Sequence, residues 1–265
     1  MELLMSENIS NLKIENVEKV FQINDEYLQA VEKTNAEIKN GEFISIVGPS
    51  GCGKSTLIRM ISGLETPSSG EIKLKGNKVT KPTLDIGMIF QESRLFPWLS
   101  IEKNIEFGIS DKSLKRAERK ELVNKMISLV GLTGFNKALP KQLSGGMQQR
   151  ASIARGLINN PEILLLDEPF GALDAFTRMN MQQELLKIWK QEKNTMILVT
   201  HDIDEAIFLS TRIFIMSERP GTIKDVIEIN LKGQRDRSSS EFMEIRKHIM
   251  KSLFGKNDEM IEYYL

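Results

Sequence analysis

The residues Gly48-Pro49-Ser50-Gly51-Cys52-Gly53-Lys54-Ser55 concentrate the most chemistry in this sequence. They fit the pattern G-x-x-x-x-G-K-[ST], and Thr56 follows. Glycines let a backbone curl until successive N–H groups converge on phosphate oxygens. A helix opening after the loop adds its positive N-terminal end to the same point. On this pattern Lys54 reaches the β- and γ-phosphates of a nucleotide, and Ser55 offers its hydroxyl to Mg²⁺. Cys52 reads as a small loop filler rather than a redox centre, because the chain holds no second thiol.

A second constellation lies further along. Ile163-Leu164-Leu165-Leu166-Asp167-Glu168-Pro169 is an apolar run that ends in two acids. A buried strand that delivers carboxylates at its C-terminal edge places them where an α/β sheet binds phosphates. Asp167 suits Mg²⁺, directly or through water. Glu168 suits polarising a water for attack on the γ-phosphorus.

These groups need elements to position them. Leu12–Phe21 and Tyr27–Ile38 alternate and predict antiparallel strands. Phe43–Val47 predicts a short buried strand running into Gly48, and Lys54–Ser62 a helix. Glu71–Lys75 and Ile86–Phe90 read as strands, with Gly76-Asn77 as the turn between them. Charge density then rises, and Leu114, Leu122, Met126 and Leu129 fall at helical spacing, with Gly131 as a helix stop. Ser100–Leu143 is therefore expected to be all-helical. Helices over Met147–Ile158 and Phe176–Glu192 bracket the strand Glu162–Leu166, and Thr195–Val199 follows as another strand. Asp202 and Glu205 form a capping signal. Ile213–Met216 and Ile223–Ile229 are late strands, and Leu231–Ser240 is a polar linker. Phe242, Ile245, Ile249 and Leu253 make one stripe on a terminal helix. Strands alternating with helices predict a mostly parallel sheet.

Composition narrows the class. The 265 residues are 40% apolar and 27% charged, which excludes disorder and a coiled coil. The length suits one large domain, or one with a small appendage. Lys and Arg number 36, as do Asp and Glu, so no global field draws the chain to nucleic acid or an anionic membrane. One cysteine and two histidines argue against a Cys- or His-based metal site. No apolar run approaches the roughly 18 residues of a spanning helix. Met1–Ser10 carries two glutamates and no basic residue, unlike a signal peptide.

Leu143-Ser144-Gly145-Gly146-Met147-Gln148-Gln149-Arg150 adds a helix-opening serine and two glycines, hence a second anion site. With the motifs above, in this order, the chain resembles the nucleotide-binding subunit of an ABC transporter over roughly Leu12 to Ile229. That resemblance implies a P-loop NTPase core with a mostly parallel sheet, an N-terminal antiparallel β subdomain and an α-helical signature subdomain. It implies one ATPase domain over 1–230, with the helical insertion at about 100–158, and a linker and helical extension over 231–265. Its ligands are ATP and Mg²⁺. The signature residues Ser144, Gly145 and Gly146 face the nucleotide of the opposite protomer, so two chains sandwich two ATP molecules. Gln91 matches the Q-loop glutamine that touches Mg²⁺ or the attacking water. His201 matches the switch histidine at the γ-phosphate. Asp174, in Gly171-Ala172-Leu173-Asp174, matches the D-loop, with Gly171 where many relatives have Ser. Phe21 matches the aromatic that stacks on adenine, with Tyr27 as its rival.

The stretches Gln91–Leu99, Phe170–Arg178 and Thr200–Ala206 resemble the subfamily that imports nitrate, sulfonates and taurine. The resemblance implies a homodimer on the cytoplasmic face of the cell membrane, bound to integral membrane permease subunits and served by an extracytoplasmic solute-binding protein, with no nucleic-acid partner. Phe96, Pro97, Trp98 and Leu99 suit either a groove for a short helix of another subunit or local packing. A soluble relative acting on nucleic acid or ribosomes is the rival. Gln91 to Ser144 spans 144 − 91 = 53 positions, too few for the long coiled coil of DNA-repair relatives. Residues alone name neither the cargo nor the direction of transport.

Overall fold

The computed structural model describes residues 10–171, 173–231 and 235–255. Ala172, part of the linker stretch and the ends of the chain, Met1 to Ile9 and residues 256–265, lie outside them. The chain forms two compact units, one from residues 1–82 and 197–265, the other from 83–196.

In the first unit, β1 (Ser10–Ile23) and β2 (Glu26–Lys39) form a long antiparallel hairpin. Asn24, at φ 55°, and Asp25 close it, because a two-residue hairpin turn needs positive φ. β3 (Phe43–Val47) is buried at every position and leads through the loop into α1 (Lys54–Ile61). β4 (Ser69–Leu74) pairs with β1, and the short β5 (Asn77–Lys78) pairs with β4, giving the sheet order β2-β1-β4-β5. Gly76 therefore closes a β4–β5 hairpin, and does not link the Glu71 strand to the Ile86 strand as its position suggested. β5 is only two residues long, too short to leave a strand pattern in the sequence, so the turn signal fixes a reversal but not the strand that follows it.

The second unit holds β6 (Ile86–Ile89), α2 (Ile101–Glu106), α3 (Arg116–Leu129), α4 (Gly145–Leu157), β7 (Ile163–Asp167) and α5 (Ala175–Glu192). β6 and β7 pair in parallel. No strand interrupts the described stretch from Ser100 to Leu143. α3 buries Val123, Met126 and Ile127. Leu114 precedes the helix, and Leu122 and Leu129 are half-buried, so the apolar face is turned by one residue from the expected stripe. Gly131, at φ 63°, ends the helix, and Arg150 donates to the Val130 and Gly131 carbonyls there.

β8 (Thr195–Val199) carries the chain from the second unit back into the first, where α6 (Ile203–Leu209), β9 (Arg212–Met216), β10 (Ile223–Glu228) and α7 (Ser240–Phe254) follow. β3 is parallel to β9, and β10 is antiparallel to β9. Parallel pairs with helices, beside an antiparallel sheet, make an α/β fold. Burying Phe43, Ile44, Ile46 and Val47 contributes on the order of 1.5–3 kcal/mol each, which anchors the root of the loop that follows.

Candidate nucleotide site

In the first unit the glycine-rich loop rises from β3. Gly53 caps α1 at φ 104°, a conformation L side chains rarely adopt. A β-carbon there would lie 2.6 Å from the Ala30 carbonyl oxygen, so space and conformation both require glycine. Lys54 is 6% exposed, and its Nζ donates to the carbonyls of Gly48 at 2.7 Å and Pro49 at 2.9 Å. The ammonium is thus held in its own loop. Cys52 is buried beneath the loop with its Sγ 3.9 Å from Lys54 Nζ. Ser50 and Gly51 are exposed, and Gly48, Ser55 and Thr56 are half-buried.

A residue that the sequence reading passed over lies against this loop. Gly221 donates its N–H to the Ala30 carbonyl at 3.1 Å and accepts from the Glu32 N–H at 2.9 Å. A β-carbon on Gly221 would overlap the Cys52 carbonyl oxygen and come within 2.8 Å of Met216 Cε. The Pro220-Gly221 pair signals a turn in the sequence, but not what the turn supports.

His201 follows β8 and is exposed. Asp202 caps α6 by accepting from the Glu205 N–H at 3.0 Å, and its own N–H donates to Thr200 Oγ1 at 3.0 Å. A cavity of about 530 Å³ brings His201 together with Gly48, Pro49 and Ser50. Its far wall is α7, through Arg246, Met250, Leu253 and Phe254. Arg246 pairs with Asp204 at 3.1 Å. Burial pushes the Asp204 carboxyl up, and the Arg246 charge opposes that. Arg235 donates to the Ile207 and Phe208 carbonyls at the end of α6, and burial pushes its guanidinium down to about 10. The stripe on α7 was legible, but not its closeness to His201.

The two aromatic candidates sit on the β1–β2 hairpin. Phe21 pairs with Leu28 and Tyr27 with Gln22, so they point to opposite faces. Phe21 is half-buried with Lys19 Nζ 4.9 Å from its ring centroid, and Tyr27 is 75% exposed.

The second unit carries the acids. β7 ends in Asp167, which is 8% exposed. Glu168 adopts φ 45°, an uncommon conformation for a non-glycine residue and one that clusters at functional sites. The Gly171 N–H donates to the Glu168 carbonyl at 3.2 Å, folding the chain back. A β-carbon on Gly171 would lie 3.2 Å from Gln91 Nε2 and 3.9 Å from Glu168 Oε2. Gln91 and Glu168 therefore converge on one small residue, and a side chain at that point would press on the amide.

Helix α4 holds the segment around Gln91. Arg155 donates to the Ser93 carbonyl at 3.1 Å and the Arg94 carbonyl at 3.0 Å, while burial holds its guanidinium below the ordinary range. Ser93 Oγ donates to Gln148 at 3.3 Å, and Gln149 to the Phe90 carbonyl at 3.4 Å. The same helix opens at the exposed Ser144, whose hydroxyl accepts from the Met147 N–H at 3.3 Å. Gly145 is exposed beside it, whereas Gly146 is buried. A β-carbon on Gly146 would lie 2.5 Å from Thr177 Cγ2, so this glycine lets α5 approach α4. Asp174 caps α5 by accepting from the Thr177 N–H at 3.0 Å, and the Thr177 bonds hold its carboxyl below the usual range. A cavity of about 410 Å³ joins Ser144 and Gly146 to Phe176 and Thr177.

Asn104, fully buried on α2, donates to the carbonyls of Phe96, Leu99 and Ser100 and accepts from the Phe96 N–H at 2.7 Å. It moulds a turn that leaves Trp98 72% exposed, with the Phe96 ring 5.6 Å from Trp98 and 4.7 Å from Phe107.

Among the described residues no three His, Cys, Asp or Glu side chains gather to hold a metal. Ser55 in the first unit carries a hydroxyl and Asp167 in the second a carboxylate, each a hard oxygen of the kind Mg²⁺ takes.

A family model described as ABC transporter matches residues 31–171. An aliphatic sulfonates import ATP-binding protein of Bacillus cereus is 52% identical over 239 residues, 90% of this chain and 94% of that protein. An uncharacterized ABC transporter ATP-binding protein of Methanocaldococcus jannaschii is 49% identical over 251 residues, 95% of this chain and 93% of that one. A solved dimeric ATP-binding cassette in a post-hydrolysis state, bound to ADP and Pi, superposes with a TM-score of 0.72 at 34% identity, covering 83% of this chain and 99% of that chain.

Proposed function

This chain belongs to the ABC transporter family as an ATP-hydrolysing, ATP-binding protein, and from that membership we propose that it energises import of a small anionic solute such as nitrate, taurine or an aliphatic sulfonate. The observation that carries the importer reading is its 52% identity, across 90% of its length, with a protein named for aliphatic sulfonate import.

The chemistry follows from the residues. Two copies close face to face over two ATP molecules; a relative solved as a dimer with ADP and Pi supports the pairing of two copies. Backbone N–H groups from Gly51 to Lys54 and the end of α1 receive the phosphates. Lys54 gives up its carbonyl partners for the β- and γ-oxygens. Ser144 of the opposite copy adds a hydroxyl and a helix N-terminus to the γ-phosphate. Glu168 accepts a proton from the attacking water, and Gln91, converging on the same point, orients it. His201 contacts the γ-phosphate from the cavity it shares with the loop. Phe21 stacks on adenine. Ser55, Asp167 and Gln91 would hold Mg²⁺, which would supply charge neutralisation for the phosphates. Catalysis is positioning and charge stabilisation.

Residues 1–230 serve as one ATPase domain, with 231–265 as linker and helical extension. The exposed Trp98 cluster docks a short helix of a membrane permease subunit, and the chain works at the cytoplasmic face of the membrane. An extracytoplasmic solute-binding protein then selects the cargo. The experiment is gentle detergent extraction of the tagged chain from its native host, followed by identification of what co-purifies. An integral membrane subunit is the expected result, with a solute-binding protein whose ligand can then be assayed. Soluble partners alone, with nucleic acid or ribosomes, overturn the transport reading and leave the ATPase.

A further inference from the structure

Two apolar features remain unexplained by the chemistry above. Phe176, 75% exposed, and Met179, 48% exposed, stand three positions apart on α5 and share one side of it. Phe176 lines the cavity that also holds Ser144. In the other unit, the cavity at Ser50 and His201 has an apolar wall of Ile203, Met250, Leu253 and Phe254. Phe254 there is itself 38% exposed.

We infer that Phe176 of the partner subunit inserts against Met250, Leu253 and Phe254, so that the C-terminal helix α7 forms part of the closed dimer. The inference rests on the sandwich dimer proposed above. In that dimer Ser144 of one copy comes over the phosphates held at Ser50 to Lys54 of the other. What neighbours Ser144 must then meet what neighbours Ser50. Phe176 is the aromatic neighbour of the first, and the α7 wall is the apolar neighbour of the second. The cavity, about 530 Å³, has ample room for a phenyl ring. Twofold symmetry makes the contact twice. An exposed aromatic seated in a desolvated pocket is the usual anchor of such an interface. The occupant is a second copy of this chain, and the contact joins α7 to the cavity that holds His201.

The test uses the full chain carrying Glu168→Gln, which is expected to dimerise with ATP without turning it over. Phe176→Cys and Leu253→Cys are added together, and a short bifunctional maleimide is applied with and without ATP. Cys52 is 1% exposed, and each single variant reports any reaction there. The expected result is a covalent dimer that forms with ATP in the double variant and in neither single one. In parallel, Phe176→Asp weakens ATP-driven dimerisation at least tenfold in sedimentation, while binding of a fluorescent ATP analogue to the monomer is unchanged. A dimer that forms with ATP but does not crosslink, or that F176D leaves as tight, overturns the contact and spares the dimer. Crosslinking within one chain overturns it too. If the Glu168→Gln chain does not dimerise with ATP, the dimer reading itself fails and the contact falls with it.

Discussion

The α-carbon of Gly221 packs against the carbonyl oxygen of Cys52, so closely that a β-carbon would overlap that oxygen. The loop between β9 and β10 thus braces the glycine-rich loop, and the Gly221 N–H donates to the Ala30 carbonyl, against which Gly53 also packs closely. Gly221→Ala must push the Cys52 peptide away. Overpacking of this kind costs about 1–3 kcal/mol. Drawn from binding geometry, that means roughly ten- to hundredfold weaker ATP affinity. Titration with a fluorescent ATP analogue measures it, beside Gly76→Ala, where a side chain meets nothing within 4 Å. Equal affinities in the two variants refute the brace.

Gly146 is a packing residue between α4 and α5. Gly146→Ala sets a methyl 2.5 Å from Thr177 Cγ2 and is expected to destabilise the fold by about 1–3 kcal/mol. Thr177→Ser removes that methyl and keeps a hydroxyl. The double variant should regain most of the loss in denaturant melts. If the two changes simply add, α4 and α5 are not coupled at this point.

Glu168 sits at φ 45°, and its carboxylate and the Gln91 amide both lie close to Gly171. Glu168→Gln keeps size and shape but cannot take a proton. Turnover should fall by about 10² or more while ATP binding persists. Steady-state phosphate release and equilibrium binding check the two halves. Hydrolysis near the wild-type rate would show that another group takes the proton.

Trp98 is exposed on a turn that Asn104 builds. Trp98→Ala should abolish co-purification with membrane subunits and leave the isolated chain's ATPase within about twofold, since surface changes rarely exceed ±0.5 kcal/mol. Asn104→Ala unpicks the turn and should lower both assembly and thermal stability. Equal losses of ATPase and assembly in Trp98→Ala refute docking.

Much of this site is legible from sequence because its signals are local. Gly48 to Ser55 needs only its own glycines and the strand before it. The runs Phe43–Val47, interrupted only by Ser45, and Ile163–Leu166 read as strands because strands buried on both faces are nearly continuously apolar. Asp202 and Glu205 announce a cap whose bond spans three residues. Other features differ from the expectation. Gly76 marks a reversal, but the strand it leads into, β5, is two residues long and too short to leave a pattern. The apolar face of α3 shifted because what α3 packs against, and not its own periodicity, chooses the stripe.

The sequence by itself determined the chemical groups, their order along the chain and the local elements that present them, since bonds between near neighbours set these. Only the tertiary structure decided that Gly221, 221 − 52 = 169 positions from Cys52, braces the phosphate loop. It also decided that Arg155 holds the segment after Gln91, and that α7 walls the His201 cavity. Those contacts join residues far apart in the chain. Close packing creates them, and no short window of sequence records which distant backbone will come to lie against a given glycine.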